Sequence, residues 1–555
     1  MLAFLMGVLM VAPYAYFALT APDYAGIAMM GQDAEEHYLA RMQEAYEGRP
    51  ALSNVFTPYK DAPYLSPGLG EAFVAGIARV AGRSVPDINI GAKFLFPAVI
   101  FLLIYVFGLT ISRSRLAALT GATLGMLGVS IMSNPHELLA LLNGNSLSDG
   151  SMWARPINPE LSGILLFGGL WLLYRAYAHR EHTLWPLVGT IGATIGLSLY
   201  LSPYVWSFLG VLLLALFIAE LIRKNPASSL RFFSAGVLGL ALAIPFLLNY
   251  IAARVHPGYA FASQFAGIMT THLPSFGIWI AILLILPFLA WRGPLASSRT
   301  FFILCGLSLL IALNQQVVTG LYLQPGHYHW YITKPLVGIM LGLSGTLLLI
   351  RFLGARIVTI TCSIGIIALF AHGTFAQQNF YTKNSSEALD AQAYAPLFAY
   401  LNSAPATSIY ANPTLSNYLA IYTNDDAPGS WYAGLYLLPV GYLHERLFLE
   451  YRLRGITADE SLTTMKAERH AILMQLFLGN WSGIPNDSAP LPDSILEGLA
   501  QEYRAYADIP ISDVMRGLRI TYVLQDKVHD EWTPLASDLI PDAIISGRFV
   551  LYRLP

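Results

Sequence analysis

The sequence predicts a mainly α-helical, polytopic membrane protein with about eleven transmembrane helices and a small extracytoplasmic α/β domain at its C-terminal end. Of its 555 residues, 55% are hydrophobic and 12% are charged, and the mean hydropathy is +0.53. A soluble domain cannot bury that much apolar surface, whereas apolar runs of about 20 residues are long enough to cross a bilayer. After residue 376 charges return together with short alternating stretches, which favours a separate mixed domain.

The apolar runs give the predicted spans. The first run has no basic segment before it, so we interpret it as an uncleaved span rather than a cleaved signal peptide. The spans are predicted at 2–20, 90–111, 117–132, 159–178, 184–200, 203–222, 232–252, 275–291, 300–319, 333–350 and 356–375. Together they form a predicted transmembrane domain, 1–375, followed by an extracytoplasmic domain, 376–555.

Basic residues indicate the orientation of these spans. They follow every second span, and short basic loops collect on the cytoplasmic side of a membrane. The N-terminus is therefore predicted to be cytoplasmic, with the first loop (21–88), the second loop (133–158), the third loop (320–332) and the C-terminal domain outside a cell inner or plasma membrane. The basic residues are Arg113, Arg115, Arg175, Arg180, Arg223, Lys224, Arg231, Arg292, Arg299, Arg351 and Arg356.

The first loop opens with a dense cluster of ionisable residues, Asp33, Glu35, Glu36 and His37. The pattern predicts a helix over 33–47 and, over 71–80, an amphipathic helix along the membrane surface. Ionisable groups beside a bilayer are costly unless they are paired or functional. Asp33 is a candidate general base, with Glu36 and His37 as supporting groups. The alternative is a helix start in which Asp33 is the N-cap and Glu36 completes a capping box.

The second loop supplies His136, Glu137 and Arg155 as candidate binding residues. Arg155 lies between Trp153 and Pro156, and the planar guanidinium fork matches the geometry of a phosphate. The alternative for Arg155 is an interfacial anchor beside a tryptophan.

The third loop and the start of the next span are rich in hydrogen-bonding aromatic residues. His327 and His329 are two apart, which places them on one face if the segment is extended. Tyr328, Trp330 and Tyr331 suit stacking on a sugar or lining an isoprenoid groove, and Lys334 suits a phosphate. The alternative is an aromatic belt with interfacial histidines. No HExxH-type spacing supports a zinc site.

Other classes of protein fit the sequence poorly. The net charge of −2 gives no nucleic-acid-binding surface, and the two cysteines, Cys305 and Cys362, lie inside apolar runs. The sequence has no phosphate-cradling glycine-rich loop and no nucleophile elbow.

Short motifs add a family resemblance over about 1–375. Three strings resemble those of bacterial members of the GT-C superfamily of integral-membrane glycosyltransferases, which includes protein O-mannosyltransferases and aminoarabinose transferases. They are Asp33-Ala34-Glu35-Glu36-His37-Tyr38-Leu39-Ala40-Arg41, Arg155-Pro156-Ile157-Asn158-Pro159-Glu160 and Leu323-Gln324-Pro325-Gly326-His327.

The resemblance implies roles for particular residues. Asp33 takes the place of the catalytic base, Arg155 and Lys334 hold the donor phosphate, and the pair His136-Glu137 matches a His/Glu pair of some members. The chain departs from the family where Ala34 follows Asp33, because many members have adjacent acidic residues there. A divalent metal ion is therefore left open as a cofactor, and the C-terminal domain has no motif such as Trp-Trp-Asp.

The expected function is inverting transfer of a sugar from a polyprenyl-phosphate donor to an acceptor at the outer face of the bilayer, with an Asp general base. The acceptor is a glycan, a lipid or a protein. The alternatives are a non-catalytic lipid-carrier or sugar transporter, whose helices would be interrupted at the midplane of the bilayer, and an inactive GT-C-like scaffold.

Overall fold

The computed structural model describes residues 1–31, 34–133, 136, 152–178, 184–289, 294–484, 489–532 and 539–553. Two of the predicted site residues, Asp33 and Glu137, lie outside the described residues. The helices of the first half are α1 Leu2–Thr20, α2 Glu35–Tyr46, α3 Leu69–Ala81, α4 Val85–Ser112, α5 Arg115–Leu127, α6 Val129–Ser133, α7 Glu160–Ala178, α8 Trp185–Ser198, α9 Pro203–Ile222, α10 Pro226–Arg254, α11 Tyr259–Phe265 and α12 Ile278–Leu289.

The second half continues with helices and a sheet. Its helices are α13 Arg299–Leu313, α14 Gln316–Thr319, α15 Pro325–Tyr328, α16 Lys334–Leu353, α17 Ala355–Ala391, α18 Ala395–Leu401, α19 Pro413–Tyr422, α20 Tyr442–Leu453, α21 Ser461–Ala467, α22 Arg469–Phe477, α23 Asp493–Ala507 and α24 Ile511–Gly517. The strands are β1 Met269–Thr270, β2 Leu321–Tyr322, β3 Ile409–Tyr410, β4 Tyr522–Asp526, β5 Ile540–Ile545 and β6 Phe549–Arg553.

The predicted fold class, a mainly α-helical multi-pass membrane protein, is confirmed. Within the described ranges, eight helices are long and apolar enough to cross a membrane, and two shorter apolar helices, Arg115–Leu127 and Ile278–Phe288, accompany them. A helix occupies each of the predicted spans. Fewer helices than the predicted eleven are long enough to cross a membrane, because α5, α8 and α12 have only 13, 14 and 12 residues.

Close helix packing brings the second and third loops together. α5 leads into the second loop, and α16 starts after the third. A Cβ atom at Gly342 of α16 would lie 2.4 Å from the Cα atom of Gly121 in α5, so these helices touch through their backbones. The indole of Trp153 in the second loop donates to the backbone oxygen of Met126 at the end of α5 at 3.0 Å. The two loops therefore start from a common, tightly packed base.

The first loop shares one hydrophobic core with the C-terminal part of the chain. The core includes Leu39 and Phe56 from the loop and Leu415, Tyr436 and Leu449 from the C-terminal part. In the four-stranded sheet, with order β3-β4-β6-β5, β3 runs parallel to β4 and the other pairs are antiparallel. α17 runs without a break through residue 376, where the composition changes, and so connects the membrane helices to this core.

Three local predictions need correction or refinement. α2 begins at Glu35 with Ala34 in the left-handed region at the N-cap, at φ 54°, and no side chain caps it, so the capping box with Asp33 as N-cap is wrong. The segment around His327 is helical rather than extended, since α15 continues into a π-helical turn, His329–Thr333. The amphipathic helix α3 is longer than predicted and exposes Leu69, Phe73, Ile77 and Val80 along one face.

Candidate functional site

Arg155 is the centre of the candidate site. The guanidinium Nη1 donates to the hydroxyl of Tyr331, and the guanidinium carbon lies 5.4 Å from the ring centre of Tyr38 and 5.9 Å from that of Tyr331. Arg155 is only 8% exposed. Its contacts therefore join the first, second and third loops around one nearly buried cation.

Two further rings extend this group. The imidazole of His327 stacks on the ring of Tyr204 with centroids 4.6 Å apart and planes within 2°, and it meets Tyr331 edge to face at 5.2 Å. Tyr204 lies in the first turn of α9, which Ser202 caps by accepting from the backbone N–H of Val205. We call Tyr38, Arg155, Tyr204, His327 and Tyr331 the arginine site.

The backbone that carries Arg155 is held in place by a buried lysine. The ammonium of Lys93 in α4 donates to the backbone oxygen of Ala154, and it forms an ion pair with Glu35 in α2 at 3.0 Å. Glu35 also accepts from the backbone N–H of Gly31 at 3.2 Å. Because an unpaired buried charge is costly, this pair fixes the start of α2 against the turn that precedes Arg155.

A second carboxylate lies next to this ion pair. Glu160, the first residue of α7, is 1% exposed, and its Oε1 atom has no hydrogen-bond partner in the described structure. Lys93 and Glu35 both act on it electrostatically. The buried cluster thus contains one ammonium and two carboxyl groups beneath the arginine site.

His37 is held by a tyrosine from the C-terminal part of the chain. Its Nε2 atom lies 2.9 Å from the hydroxyl of Tyr436. Arg41 donates to the same hydroxyl oxygen, so the hydroxyl proton is free for Nε2 and the tautomer protonated at Nδ1 is favoured. Burial lowers the pKa of His37 well below its usual value, and the positive charges of Arg41 and Arg155 lower it further. His37 is therefore neutral near pH 7.

Glu36 is a half-buried carboxyl group beside the same tyrosines. The hydroxyl of Tyr432 donates to its Oε2 atom at 3.4 Å. Burial raises the pKa of Glu36 to about 7, against the lowering effect of its backbone hydrogen bond, and the negative charges of Glu35 and Glu387 raise it as well. Near neutral pH the group is therefore poised between its acid and its carboxylate form.

Lys334 and His329 form a second group next to the third loop. The ammonium of Lys334 lies 3.3 Å from the ring centre of Trp330, and the residue is 7% exposed. His329 lies against Gly277, where a Cβ atom would come within 2.3 Å of the imidazole. Since the segment is helical, His329 and His327 face different neighbours, and the expectation that they share a face is wrong.

The structure brings several of the predicted site residues together. Glu36, His37, Arg155 and His327 belong to one continuous set of contacts. His136 is exposed. Among the described residues, no group of three or more His, Cys, Asp or Glu side chains is arranged to hold a metal ion.

Sequence reasoning missed the residues that support this set. Lys93 and Glu160 lie in or beside predicted spans, and an ionisable residue in an apolar run is a signal that was available. Tyr432 and Tyr436 come from a stretch almost 400 residues away from α2, and nothing local in the sequence marks them.

The chemistry available at this site is that of anion binding beside a neutral, aromatic surface. Arg155 supplies a fixed charge and a planar donor array, while Tyr331 supplies a hydroxyl at the same point. The neutral imidazole of His37 adds a donor and an acceptor without adding charge, and His327 adds a second imidazole.

Comparisons with known proteins give a likeness in architecture. No protein-family model and no curated protein matches the chain. Among solved structures, the chain is similar to ArnT from Cupriavidus metallidurans bound to undecaprenyl phosphate, with 13% identity, coverage of 77% of this chain and 85% of that chain, and a TM-score of 0.43. The same protein in the apo state gives 13% identity, coverage of 72% and 80%, and a TM-score of 0.38.

Proposed function

We propose that this protein transfers a sugar from a polyprenyl-phosphate donor to an acceptor at the extracytoplasmic face of the membrane, with inversion at the anomeric carbon. An acceptor hydroxyl attacks that carbon while Asp33 takes its proton. The bond from the anomeric carbon to the phosphate oxygen breaks, and polyprenyl phosphate leaves. The proposed orientation, with the N-terminus in the cytoplasm, follows from the basic loops.

One observation carries this proposal. Three loops that are far apart in the sequence meet at Arg155, whose guanidinium contacts Tyr331 of the third loop and Tyr38 of the first. A nearly buried cation fixed by aromatic and phenolic groups suits a phosphate, because a charged ligand gains most where water is excluded. An arginine that served as an interfacial anchor would extend into the headgroup region instead.

The position of the site supports surface chemistry rather than transport. Tyr204 is in the first turn of α9, and Tyr331 directly precedes α16. Transport sites of helical carriers lie near the midplane at interrupted helices. A donor lipid that enters from the bilayer would reach the ends of these helices with its phosphate while its chain stays in the membrane.

The donor site is tested by binding. We would place the purified protein in lipid nanodiscs and measure the affinity for undecaprenyl phosphate and for undecaprenol, which lacks the phosphate. We expect the wild type to prefer the phosphate, and Arg155→Gln to lose about tenfold or more in affinity for undecaprenyl phosphate while its affinity for undecaprenol stays unchanged.

A matched control is Arg175→Gln. Arg175 also lies over an aromatic ring, at 5.1 Å from the ring centre of Trp171, but it is exposed near the far end of α7. This variant should bind both lipids like the wild type. A folded Arg155→Gln protein with wild-type preference for the phosphate would disprove the donor site.

A further inference from the structure

Next to the arginine site lies a set of three nearly parallel rings, which we call the aromatic platform: His37, Phe56 and Tyr432. The centroid of His37 is 5.1 Å from that of Tyr432 and 6.2 Å from that of Phe56, and the planes differ by 21° and 23°. Phe56 and Tyr432 are 6.3 Å apart at 27°. The three separations are similar, so the rings form a compact group of offset, nearly parallel rings rather than a linear stack.

The platform combines a rigid support with partly exposed residues. Phe56 is completely buried, while the residues His37 and Tyr432 are half-buried. Tyr436, which meets Phe56 edge to face at 5.9 Å, fixes the His37 ring through its hydroxyl. Such fixed aromatic groups give contact area at little cost in conformational entropy.

The segment that carries Tyr432 is itself preorganised. The Ser430 hydroxyl accepts from the backbone N–H of Tyr432 at 3.1 Å and donates to Asn417 at 2.6 Å. The buried guanidinium of Arg446 donates to the backbone oxygen of Ser430 at 2.6 Å. These bonds fix the segment that carries Tyr432 to α19 and α20 of the C-terminal part, which contain Asn417 and Arg446.

A hydrogen-bonding group lies at the edge of the platform. Glu36 precedes His37 in α2 and accepts from the hydroxyl of Tyr432. Among the described residues, the carboxylates of Glu35 and Glu387 act on Glu36 electrostatically. The edge of the platform is therefore acidic, and the opposite side leads through Tyr38, 5.9 Å from His37, to Arg155.

We propose that the aromatic platform and Glu36 form the acceptor subsite, and that it takes the pyranose ring of a neutral or amino sugar. The axial C–H groups of a pyranose give an apolar face that stacks on aromatic rings, while its hydroxyl or ammonium groups donate to a carboxylate. A uronic acid or a phosphorylated sugar is disfavoured here, because its negative charge would meet the carboxyl groups of Glu36 and Glu387. The acceptor role rests on the proposed sugar transfer.

This assignment gives the C-terminal part of the chain a function at the site. The C-terminal part contributes Tyr432 to the acceptor subsite and through this residue affects which sugar is bound. The Tyr432 side chain contacts Glu36 and His37, so substitution should affect binding of the acceptor and leave binding of the donor lipid unaffected.

The test uses the full-length protein in nanodiscs and three probes: methyl β-glucopyranoside, glucosamine and glucuronate. Affinities are measured by saturation-transfer NMR. We expect the wild type to bind the first two and to bind glucuronate at least about fivefold more weakly. Tyr432→Ala should weaken binding of methyl β-glucopyranoside about five- to tenfold, and Tyr432→Phe, which keeps the ring, less than about threefold.

Tyr400→Ala is the matched control, because Tyr400 is 41% exposed in α18 of the same C-terminal part. It should bind the sugars like the wild type. Affinity for undecaprenyl phosphate is measured in parallel and should be unchanged in Tyr432→Ala.

Each outcome separates the two proposals. If the wild type binds no probe, or binds glucuronate as well as the others, the acceptor subsite is wrong. It is also wrong if Tyr432→Ala keeps wild-type sugar affinity, or loses donor affinity together with sugar affinity. If sugar binding depends on Tyr432 while Arg155→Gln leaves phosphate recognition intact, the sugar subsite stands and the donor proposal fails.

Discussion

Lys93 and Glu35 meet as an ion pair of 3.0 Å in which both side chains are at most 1% exposed. The same ammonium donates to the backbone oxygen of Ala154, directly before Arg155. One lysine in a membrane helix thereby connects the helix of the first loop to the turn of the second. The geometry of the arginine site depends on this connection.

Removing Lys93 should therefore destabilise the protein strongly. Lys93→Met leaves the carboxyl groups of Glu35 and Glu160 buried without their cation, and breaking a buried pair costs roughly 3–5 kcal/mol. Glu35→Gln should cost less, because Glu160 still accompanies Lys93. The double variant should recover part of the loss, and the measurement is the free energy of unfolding in mixed micelles.

Lys383→Met is the control, since Lys383 is exposed in α17. It should change the free energy of unfolding by less than about 0.5 kcal/mol. Additive effects of the Lys93 and Glu35 substitutions would show that the two groups are not coupled.

Tyr331 should act on donor binding through Arg155. Tyr331→Phe keeps the ring under the guanidinium but removes the hydroxyl to which Nη1 donates. We expect affinity for undecaprenyl phosphate to fall about three- to tenfold, as for loss of a hydrogen bond to a charged group. Tyr250→Phe, which loses a hydroxyl contact with Tyr259 in another part of the structure, should bind like the wild type.

Glu36 should make stability depend on pH in an unusual direction. Its pKa is about 7 in the folded protein and near the ordinary value of 4.5 when unfolded. Between these values the folded state binds more protons at Glu36, so the contribution of Glu36 to the free energy of unfolding falls as pH rises from 4.5 to 7 and is constant outside this window. His37 contributes in the opposite direction below its usual pKa, because burial lowers its pKa in the folded protein. The difference between the wild type and Glu36→Gln in free energy of unfolding should therefore decrease from pH 4.5 to 7, as followed by unfolding at a series of pH values.

Asp459→Asn serves as the comparison, because Asp459 is exposed in the C-terminal part. It should keep the slope of the wild type. A Glu36→Gln protein with an unchanged slope between pH 4.5 and 7 would show that another group is responsible.

The sequence predicts the parts of this molecule that depend on local composition. Apolar runs locate a helix at each predicted span. His37, Arg155 and His327 lie on three loops that the alternation of basic residues predicts on the same side of the membrane, which is compatible with a common site. The apolar runs do not predict that α5 and α12 are short, since packing against neighbouring helices decides where a buried helix ends.

The rest depends on contacts between distant residues. Tyr436 binds His37 across 399 positions, and no period or motif in either stretch signals the partner. The π-helical turn at His329–Thr333 also follows from tertiary packing, and it turns His329 away from His327. Lys93 is marked in the sequence as an ionisable residue within an apolar run. Its pairing with Glu35 is not marked, because Glu35 belongs to the ionisable cluster of the first loop, which a functional site explains equally well.

Arg446 should hold the segment that carries Tyr432. It is 4% exposed and donates to the backbone oxygens of Pro428 and Ser430. Arg446→Met removes both of these hydrogen bonds, so we expect faster amide hydrogen exchange over 428–436 with little change in the membrane helices. Arg452→Met, which loses a bond from an exposed guanidinium to the oxygen of Ile509, should leave exchange over 428–436 unchanged.

The proposed base is tested by substitution of Asp33. Asp33→Asn keeps the size of the side chain and a hydrogen-bonding oxygen but cannot accept the proton of the acceptor hydroxyl. General base catalysis increases the rate of a reaction about 10²- to 10⁴-fold, so the rate of transfer of labelled sugar from a polyprenyl-phosphate donor should fall by that factor. Affinity for undecaprenyl phosphate should stay within about twofold, because the proposed phosphate contacts come from Arg155 and Tyr331, which hydrogen-bond to each other. Glu36→Gln should lose less activity and mainly raise the KM for the acceptor. If Asp33→Asn keeps near-normal transfer while Glu36→Gln loses it, the base is Glu36, whose pKa of about 7 suits that role.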